Sequence, residues 1–373
     1  MSIASTTQPI KVGVLVDFGL PPGGRWQVLQ DFLDALSLVF RDATSSGMLD
    51  RPIELVVREC EGLPRGAVAP VIRAFGELVD EGCVIVSGPM ISENAIALRE
   101  EIERTFRVPA ISWCGTDSWL GEWTFALSNG SLTDEPYVLA NLMAQAGLRR
   151  IGVSYERSQI GHEYLNFFHD ACDAEGVSVA AAVPIAQSGV DATEVVDALR
   201  AANPDALLHL GFGLGMVGIN GALAAIDWDP PRYTTTAWEN GFIDDEIFAT
   251  LVGWIGLEQY DEENPVAVAF LDRFEKEFGR RPEYYAPGYG HDVANAIVHA
   301  LAKARPLSPR GVKEALERVK MLPAASGAAG TRISFGQWTR RGWMGASYLI
   351  AREVAPDLSH TMFRGRVGPP RLG

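Results

Sequence analysis

The sequence is poor in the residues that build metal and redox sites. Its four cysteines, Cys60, Cys83, Cys114 and Cys172, show no CxxC spacing and lie in or beside apolar stretches, so they read as buried reduced thiols. The six histidines are scattered. His162 with His169, and His291 with His299, sit about two turns apart on candidate helices, a spacing more typical of packing than of ligation. HExxH, GxSxG and GxxxxGK[ST] are all missing, so no metal, no cofactor and no catalytic residue is expected. Cations are also scarce: 32 Lys and Arg face 47 Asp and Glu, a net charge of -15, which argues against nucleic acid as a partner because phosphate binding needs clustered positive charge. No apolar run approaches the roughly 18 to 20 residues of a membrane-spanning helix. The first residues lack a basic start and an apolar h-region, so a cytoplasmic location is the expectation, with an exported or periplasmic one as the alternative if the start is trimmed or misassigned.

What the sequence has in quantity is a repeating unit: an apolar run, a stop at small polar residues, then an amphipathic stretch. Val84–Val86 stops at Ser87-Gly88-Pro89-Met90-Ile91-Ser92, Pro109–Ile111 at Ser112-Trp113-Cys114-Gly115-Thr116-Asp117, and Ala206–Leu210 at Gly211-Phe212-Gly213. In an open parallel sheet the carboxyl ends of strands are where ligands bind, because loops there expose backbone N–H groups and short hydroxyls. The first series reads strand 10–16, helix 26–40, strand 53–57, helix 68–79, strand 84–86, helix 95–106 and a strand at 109–111. A second series starts after 129–136, with helices 137–146, 161–175, 191–201 and 215–226 and strands 151–155, 177–183, 206–210 and 232–237. Helical stretches at 265–278 and 290–304 and β-like stretches at 332–335 and 346–351 follow. With 373 residues, the fold class expected is α/β, two doubly wound parallel-sheet lobes.

Two site readings stay open from these residues. Gly213-Leu-Gly215-Met-Val-Gly218 is a literal GxGxxG that opens a helix, and Glu239 follows the next strand, as in a dinucleotide fingerprint; the enzyme alternative is therefore a dinucleotide-dependent oxidoreductase. The other reading is a glycine-rich loop that lets backbone approach a small ligand. The adjacent carboxylates Asp244-Asp245 and Glu262-Glu263 read as solvated faces.

The order and spacing of Ile10–Val16, Ile85-Val-Ser-Gly-Pro, Val108-Pro-Ala-Ile-Ser, Arg150-Ile-Gly-Val-Ser-Tyr, Asn203-Pro-Asp-Ala-Leu and Tyr289-Gly-His-Asp-Val-Ala-Asn-Ala-Ile resemble the type I periplasmic binding-protein superfamily. The nearest branch is that of the leucine/isoleucine/valine-binding proteins of ABC transporters, which includes a cytoplasmic amide sensor. The resemblance covers about residues 9–352 and implies two lobes joined by three hinge crossings, near 130, 256 and 330. It divides the chain into 9–130 plus 257–329, 131–256 plus 330–356, and a flexible tail 357–373. It implies a non-catalytic protein that closes on an amino acid, amide or aromatic acid. Uptake through an ABC permease and cytoplasmic sensing for a signalling partner are both compatible with it, as is a homodimer. Residue by residue it places ligand contacts at Ser92, Gly115 and Thr116 for a carboxylate, Glu239 for an ammonium, and Tyr289 as an aromatic wall; Trp26, Met90, Trp113 and Phe212 complete the expected cleft. Some members carry a disulfide that would start near Cys60, but its other end matches Ile91.

Overall fold

The computed structural model describes residues 8–19, 26–63, 65–186, 191–211, 213, 215–236, 238–239, 245–282, 286–358 and 360–366. Five parallel strands make the first sheet: β1 (Ile10–Val16), β2 (Ile53–Glu59), β3 (Val86–Ser87), β4 (Ala110–Ser112) and β5 (Thr124–Ala126), in the order β2-β1-β3-β4-β5. Helices α1 (Trp26–Ser45), α2 (Val68–Asp80) and α3 (Ser92–Glu101) connect them. β1 is central, so Val12, Val14, Leu15 and Val16 are all buried and the strand reads as a continuous apolar run.

The second lobe repeats the order. After α4 (Asp134–Gln145) come β6 (Arg150–Glu156), α5 (Gln159–Glu175), β7 (Ser178–Ile185), α6 (Thr193–Ala201), β8 (Ala206–Leu210), α7 (Met216–Ala225), β9 (Arg232–Thr234), α8 (Asp245–Thr250) and β10 (Trp254–Glu258). β7-β6-β8-β9-β10 lie side by side and parallel, the same 2-1-3-4-5 order as the first lobe. Local chemistry fixes the helix ends: Ser158 caps α5 by accepting the Gly161 N–H at 3.0 Å, and Gly176 closes it at φ 66°, a left-handed position suited to glycine.

The chain then returns to the first lobe with α9 (Pro265–Phe278), α10 (Ala286–Lys303) and α11 (Pro309–Leu316), followed by the short antiparallel pair β11 (Leu322–Pro323) and β12 (Arg332–Ile333). α9 begins at the Asn264 cap with Pro265 at the first helical turn. α10 packs along α1 through Phe32, Tyr289 and Val293. It ends in the second lobe with β13 (Ile350–Val354) and β14 (Thr361–Arg366), added antiparallel beyond β10.

Two sequence expectations are corrected here. The third crossing falls at 344–349 and not near 330, because Arg340–Gly342 runs beside β5: the Ala126 N–H donates to the Arg340 carbonyl at 2.9 Å and the Gly342 N–H to the Ala126 carbonyl at 2.8 Å. Residues 361–366 are not a loose tail; they form β14, held by ion pairs from Arg366 to Asp261 and Glu263.

The crossings are bound to one another. Gln259, on the second, donates from Nε2 to the carbonyls of Ser128 (2.8 Å) and Asn129 (2.6 Å) on the first. Trp343, at the start of the third, donates its indole N–H to the same Ser128 carbonyl at 2.8 Å.

Candidate ligand-binding cleft

The carboxyl ends of both parallel sheets meet at these crossings, so the loops there face each other across a cleft. The first lobe contributes Asp17 after β1, Met90 and Ser92 after β3, and Trp113 to Thr116 after β4. The second contributes Glu156 at the end of β6, Glu163 on α5, Gly211 and Gly213 after β8, and Glu239 after β9, while Trp238 beside it is buried in the core of that lobe.

The loop after β3 is held from within. Asp17 is fully buried and accepts the Met90 N–H at 2.6 Å, the Ile91 N–H at 3.2 Å and the Asn94 amide at 2.8 Å. Burial pushes its carboxyl up to about 6, against the pull of those donors. Two N–H groups of the loop that leads into α3, those of Met90 and Ile91, are therefore filled by a side chain of the protein itself. Ser92 is the first residue of α3 and is almost covered, while Met90 is half-buried.

The β4 loop carries the bonds between lobes. Thr116 is buried, accepts the Ser118 N–H at 3.2 Å, and donates its hydroxyl to Glu163 of the other lobe at 3.3 Å. The Gly115 carbonyl accepts from Arg341 Nη2 at 3.0 Å and from the Leu132 N–H at 3.1 Å. Trp113 is half-buried and sits edge-on to Phe32 (4.2 Å between ring centroids) and Tyr289 (4.8 Å). Tyr289 itself is 2% exposed and donates its hydroxyl to the Leu127 carbonyl on the first crossing, so it backs Trp113 and shows the cleft almost no surface. Trp26 opens α1, but its side chain, like all of Phe212, lies outside the described residues.

Acidic side chains dominate the meeting faces. Glu239 accepts from the Asn129 amide at 2.6 Å, which ties the β9 loop to the first crossing. Glu93, in the first turn of α3, has its carboxyl pushed up to about 7 by burial, and the carboxylates of Glu156 and Glu163 across the cleft push it further the same way. Glu156 is fully buried against His209, whose Nδ1 pairs with Ser154 at 3.0 Å. Sequence reasoning missed Glu93, Glu156 and Glu163; the available signal was an acidic residue at, or within two turns after, the carboxyl end of a strand.

Behind the cleft, Glu135 at the start of α4 gathers four donors: the Ser131 N–H (2.8 Å), the Tyr164 hydroxyl (2.8 Å), and the N–H (2.6 Å) and hydroxyl (3.1 Å) of Thr236. Gly130 passes so close that a Cβ there would overlap Glu135 Oε1 and Thr236 Oγ1. Burial raises Glu135 to about 7. Asp17, Glu93 and Glu135 thus all hold protons in the folded state at pH values where the unfolded chain has released them. Between about pH 4 and 7 the folded state binds more protons, so stability is highest at the acid end of that window and falls as pH rises through 7. Thermal unfolding between pH 5 and 8 is expected to show the melting temperature dropping as pH rises; a flat or rising profile contradicts it. Asp50, Asp191 and Asp205, with lowered values, act in the opposite direction only below about pH 4.

The glycine-rich stretch at 213–218, which runs into the first turn of α7, follows β8, on the far side of the topological switch point from β6, the strand that opens this lobe. A dinucleotide fingerprint occupies the first βα turn. At Gly211 (φ 156°) a Cβ would overlap the Glu156 side chain, so this glycine lets the loop lie on that buried carboxylate.

Two lobes of equal topology, three tied crossings and a cleft lined from both sides define a two-lobed binding protein. The chain matches the periplasmic binding protein family over residues 9–346 and belongs to it. Among solved structures it is similar to a type 1 periplasmic binding protein of Bordetella pertussis, at TM-score 0.78 and 17% identity over 96% of this chain and 100% of that one. It is also similar to the leucine-binding protein LivK of Thermotoga maritima, at TM-score 0.77 and 16% identity over 97% and 100%. A third is an ABC transporter solute-binding protein of R. palustris solved with benzoate, at TM-score 0.73 and 18% identity over 97% of each chain. The chain is a small-molecule binding protein of this family.

Proposed function

We propose that this chain captures a small amine-bearing ligand, of the amino-acid or amide class, and closes its lobes on it as the non-catalytic solute-binding component of an uptake or sensing system. The observation that carries the reading is the approach of Glu93 on one lobe to Glu156 and Glu163 on the other, with Glu163 bonded across the lobes to Thr116; Glu239 joins them on the strength of its place after β9 in the family pattern. Facing carboxylates oppose closure unless a cation lies between them or one takes a proton. An ammonium group removes that repulsion only when the lobes are closed, which is the differential interaction a ligand needs to shift the open–closed equilibrium. The closed form is then the species that an ABC permease or a signalling partner would read.

Trp113 favours a second reading, an aromatic acid seated on its half-buried face; R. palustris structures of this fold hold benzoate and 4-hydroxybenzoate. A thermal-shift panel of amino acids, aliphatic amides, amines and aryl acids separates the two. A ligand at a hundred times its Kd adds about 2.7 kcal/mol of apparent stability. Stabilisation by amine-bearing compounds is expected; a panel in which only amine-free aryl acids stabilise the protein overturns the first reading in favour of the second.

A further inference from the structure

At the amino-terminal end of β5, opposite the strand ends that form the cleft, the first lobe contains a cavity of about 660 Å³. One wall is Trp338, which is 90% exposed at the tip of a turn closed by reciprocal backbone hydrogen bonds between Gly336 and Thr339 (2.9 and 3.2 Å). Gly121 and Leu120 also line the cavity, together with the side chains of Glu122, Lys313 and Arg340.

The charges here are unevenly placed. The Lys313 and Arg340 side chains are only 12% and 9% exposed. Both rest on one carboxylate oxygen, Glu317 Oε1, at 3.1 and 2.8 Å, and the Arg340 guanidinium also lies over the Phe125 ring. The second counter-ion is Glu122, at 3.3 Å from Lys313, and its side chain is 65% exposed. Two covered cations therefore share one covered anion and one loosely held surface anion. Among the described residues Glu122 is held only by this one ion pair, at 3.3 Å and from a largely solvated side chain, so another carboxylate can exchange with it. Glu103 stands beside Gly121, held by the Trp123 N–H (2.8 Å) and the Thr124 hydroxyl (3.0 Å), so swinging Glu122 outward adds no excess charge but frees the Lys313 ammonium toward a cavity of ligand size whose wall is an open aromatic face.

We propose that this cavity is a second ligand site, for a planar ring carrying one carboxylate: the ring stacks on Trp338 and the carboxylate replaces Glu122 on Lys313. Aromatic stacking supplies area with defined geometry, and the Lys313 ammonium supplies the charge-assisted hydrogen bond that orients the ring. The site is separate from the cleft, so it stands or falls independently of the function proposed above.

The test uses the full chain labelled with 5-fluorotryptophan and followed by ¹⁹F NMR, with the Trp338 resonance assigned by its loss in Trp338→Phe and the Trp113 resonance by its loss in Trp113→Phe. Titration with 2-naphthoate is expected to move the Trp338 resonance saturably, and uncharged 2-naphthamide is expected to leave it in place. Lys313→Gln should weaken 2-naphthoate about tenfold. Glu122→Gln should tighten it several-fold, because the competing carboxylate is gone; a merely structural ion pair has no reason to give that sign. A Trp338 resonance that does not saturate, movement of the Trp113 resonance alone, an equal response to the amide, or a Glu122→Gln variant that binds no more tightly than wild type each overturns the proposal.

Discussion

Replacing Arg352 by alanine is expected to cost about 3–5 kcal/mol of folding stability, the range for removing one partner of a buried ion pair. Arg352 is 1% exposed, on β13, and its guanidinium is enclosed by acceptors: Glu258 at 2.6 Å, Glu262 at 2.6 Å, the Thr361 hydroxyl at 2.9 Å and the Thr361 carbonyl at 2.5 Å. Glu258 is equally covered, and burial already raises its carboxyl against the opposing pull of Arg352. Without the arginine that rise is larger, so Glu258 must either ionise unpaired or take a proton. A group whose folded value is raised in this way costs most above that value, so the loss should be greater at pH 8 than at pH 5.5. The effect reaches the hinge, since Glu258 ends β10 and Gln259 begins the second crossing. Urea unfolding at both pH values measures it directly. A loss under about 1 kcal/mol at pH 8 would show that the pair is dispensable, as exposed pairs commonly are. Restoring neutrality with Arg352→Met plus Glu258→Gln should recover part of the loss, because two neutral side chains leave no buried charge behind.

That network also marks where the sequence stops being legible. Four strands of each parallel sheet are legible in the sequence, because central strands covered on both faces leave near-continuous apolar runs such as Val12–Val16 and Ala206–Leu210; β5 and β10 are not among those it offers. β14 carries the opposite pattern. Thr361-Met-Phe-Arg-Gly-Arg366 has two arginines and a glycine, and it is a strand because Arg366 reaches Asp261 and Thr361 reaches Glu258, partners about a hundred positions away in the chain. The third crossing departs from the expected place for a related reason: Arg340–Gly342 joins the edge of β5 by backbone hydrogen bonds, by Arg340 over the Phe125 ring and by Arg341 on the Gly115 carbonyl, partners more than two hundred positions away in the chain. Within the cleft, residue types were legible but their duties were not. Thr116 and Glu239 do stand at the lobes' meeting edge, bonded to Glu163 and Asn129 respectively. The resemblance implies Tyr289 as an aromatic wall; in the structure its ring lies edge-on to Trp113 and its hydroxyl is held by the Leu127 carbonyl, an orientation no sequence pattern carries. The carboxylates that gather there come from α3, β6, α5 and the loop after β9. Of the acidic pairs visible in sequence, Asp244 lies outside the described residues, and Glu262 and Glu263 serve Arg352 and Arg366.

For the amine-bearing ligand identified by the panel, Glu239→Ala is expected to raise Kd by about 10- to 150-fold, the equivalent of one charge-assisted hydrogen bond of about 1.5–3 kcal/mol. Glu239 also accepts the Asn129 amide, so alanine removes a tether to the first crossing together with the charge. Glu239→Gln separates the two effects: its carbonyl oxygen still accepts from Asn129 while the negative charge is lost. If the charge binds the ligand, glutamine behaves nearly like alanine in isothermal titration; if the tether matters, glutamine behaves like wild type and the ammonium contact assigned to Glu239 is wrong. Proton linkage gives the same cleft a second readout. Glu93, raised to about 7, is largely neutral at pH 6 and largely ionised at pH 8. Binding of a cation should therefore tighten across that interval and release a fraction of a proton, and Glu93→Gln should flatten the profile without abolishing binding. An affinity that weakens from pH 6 to 8 for a ligand whose own amine stays charged would mean that the protonated form of Glu93 is the one the ligand meets, as a hydrogen-bond donor to a carbonyl or carboxylate, and would transfer the amine-recognising role away from this face of the cleft.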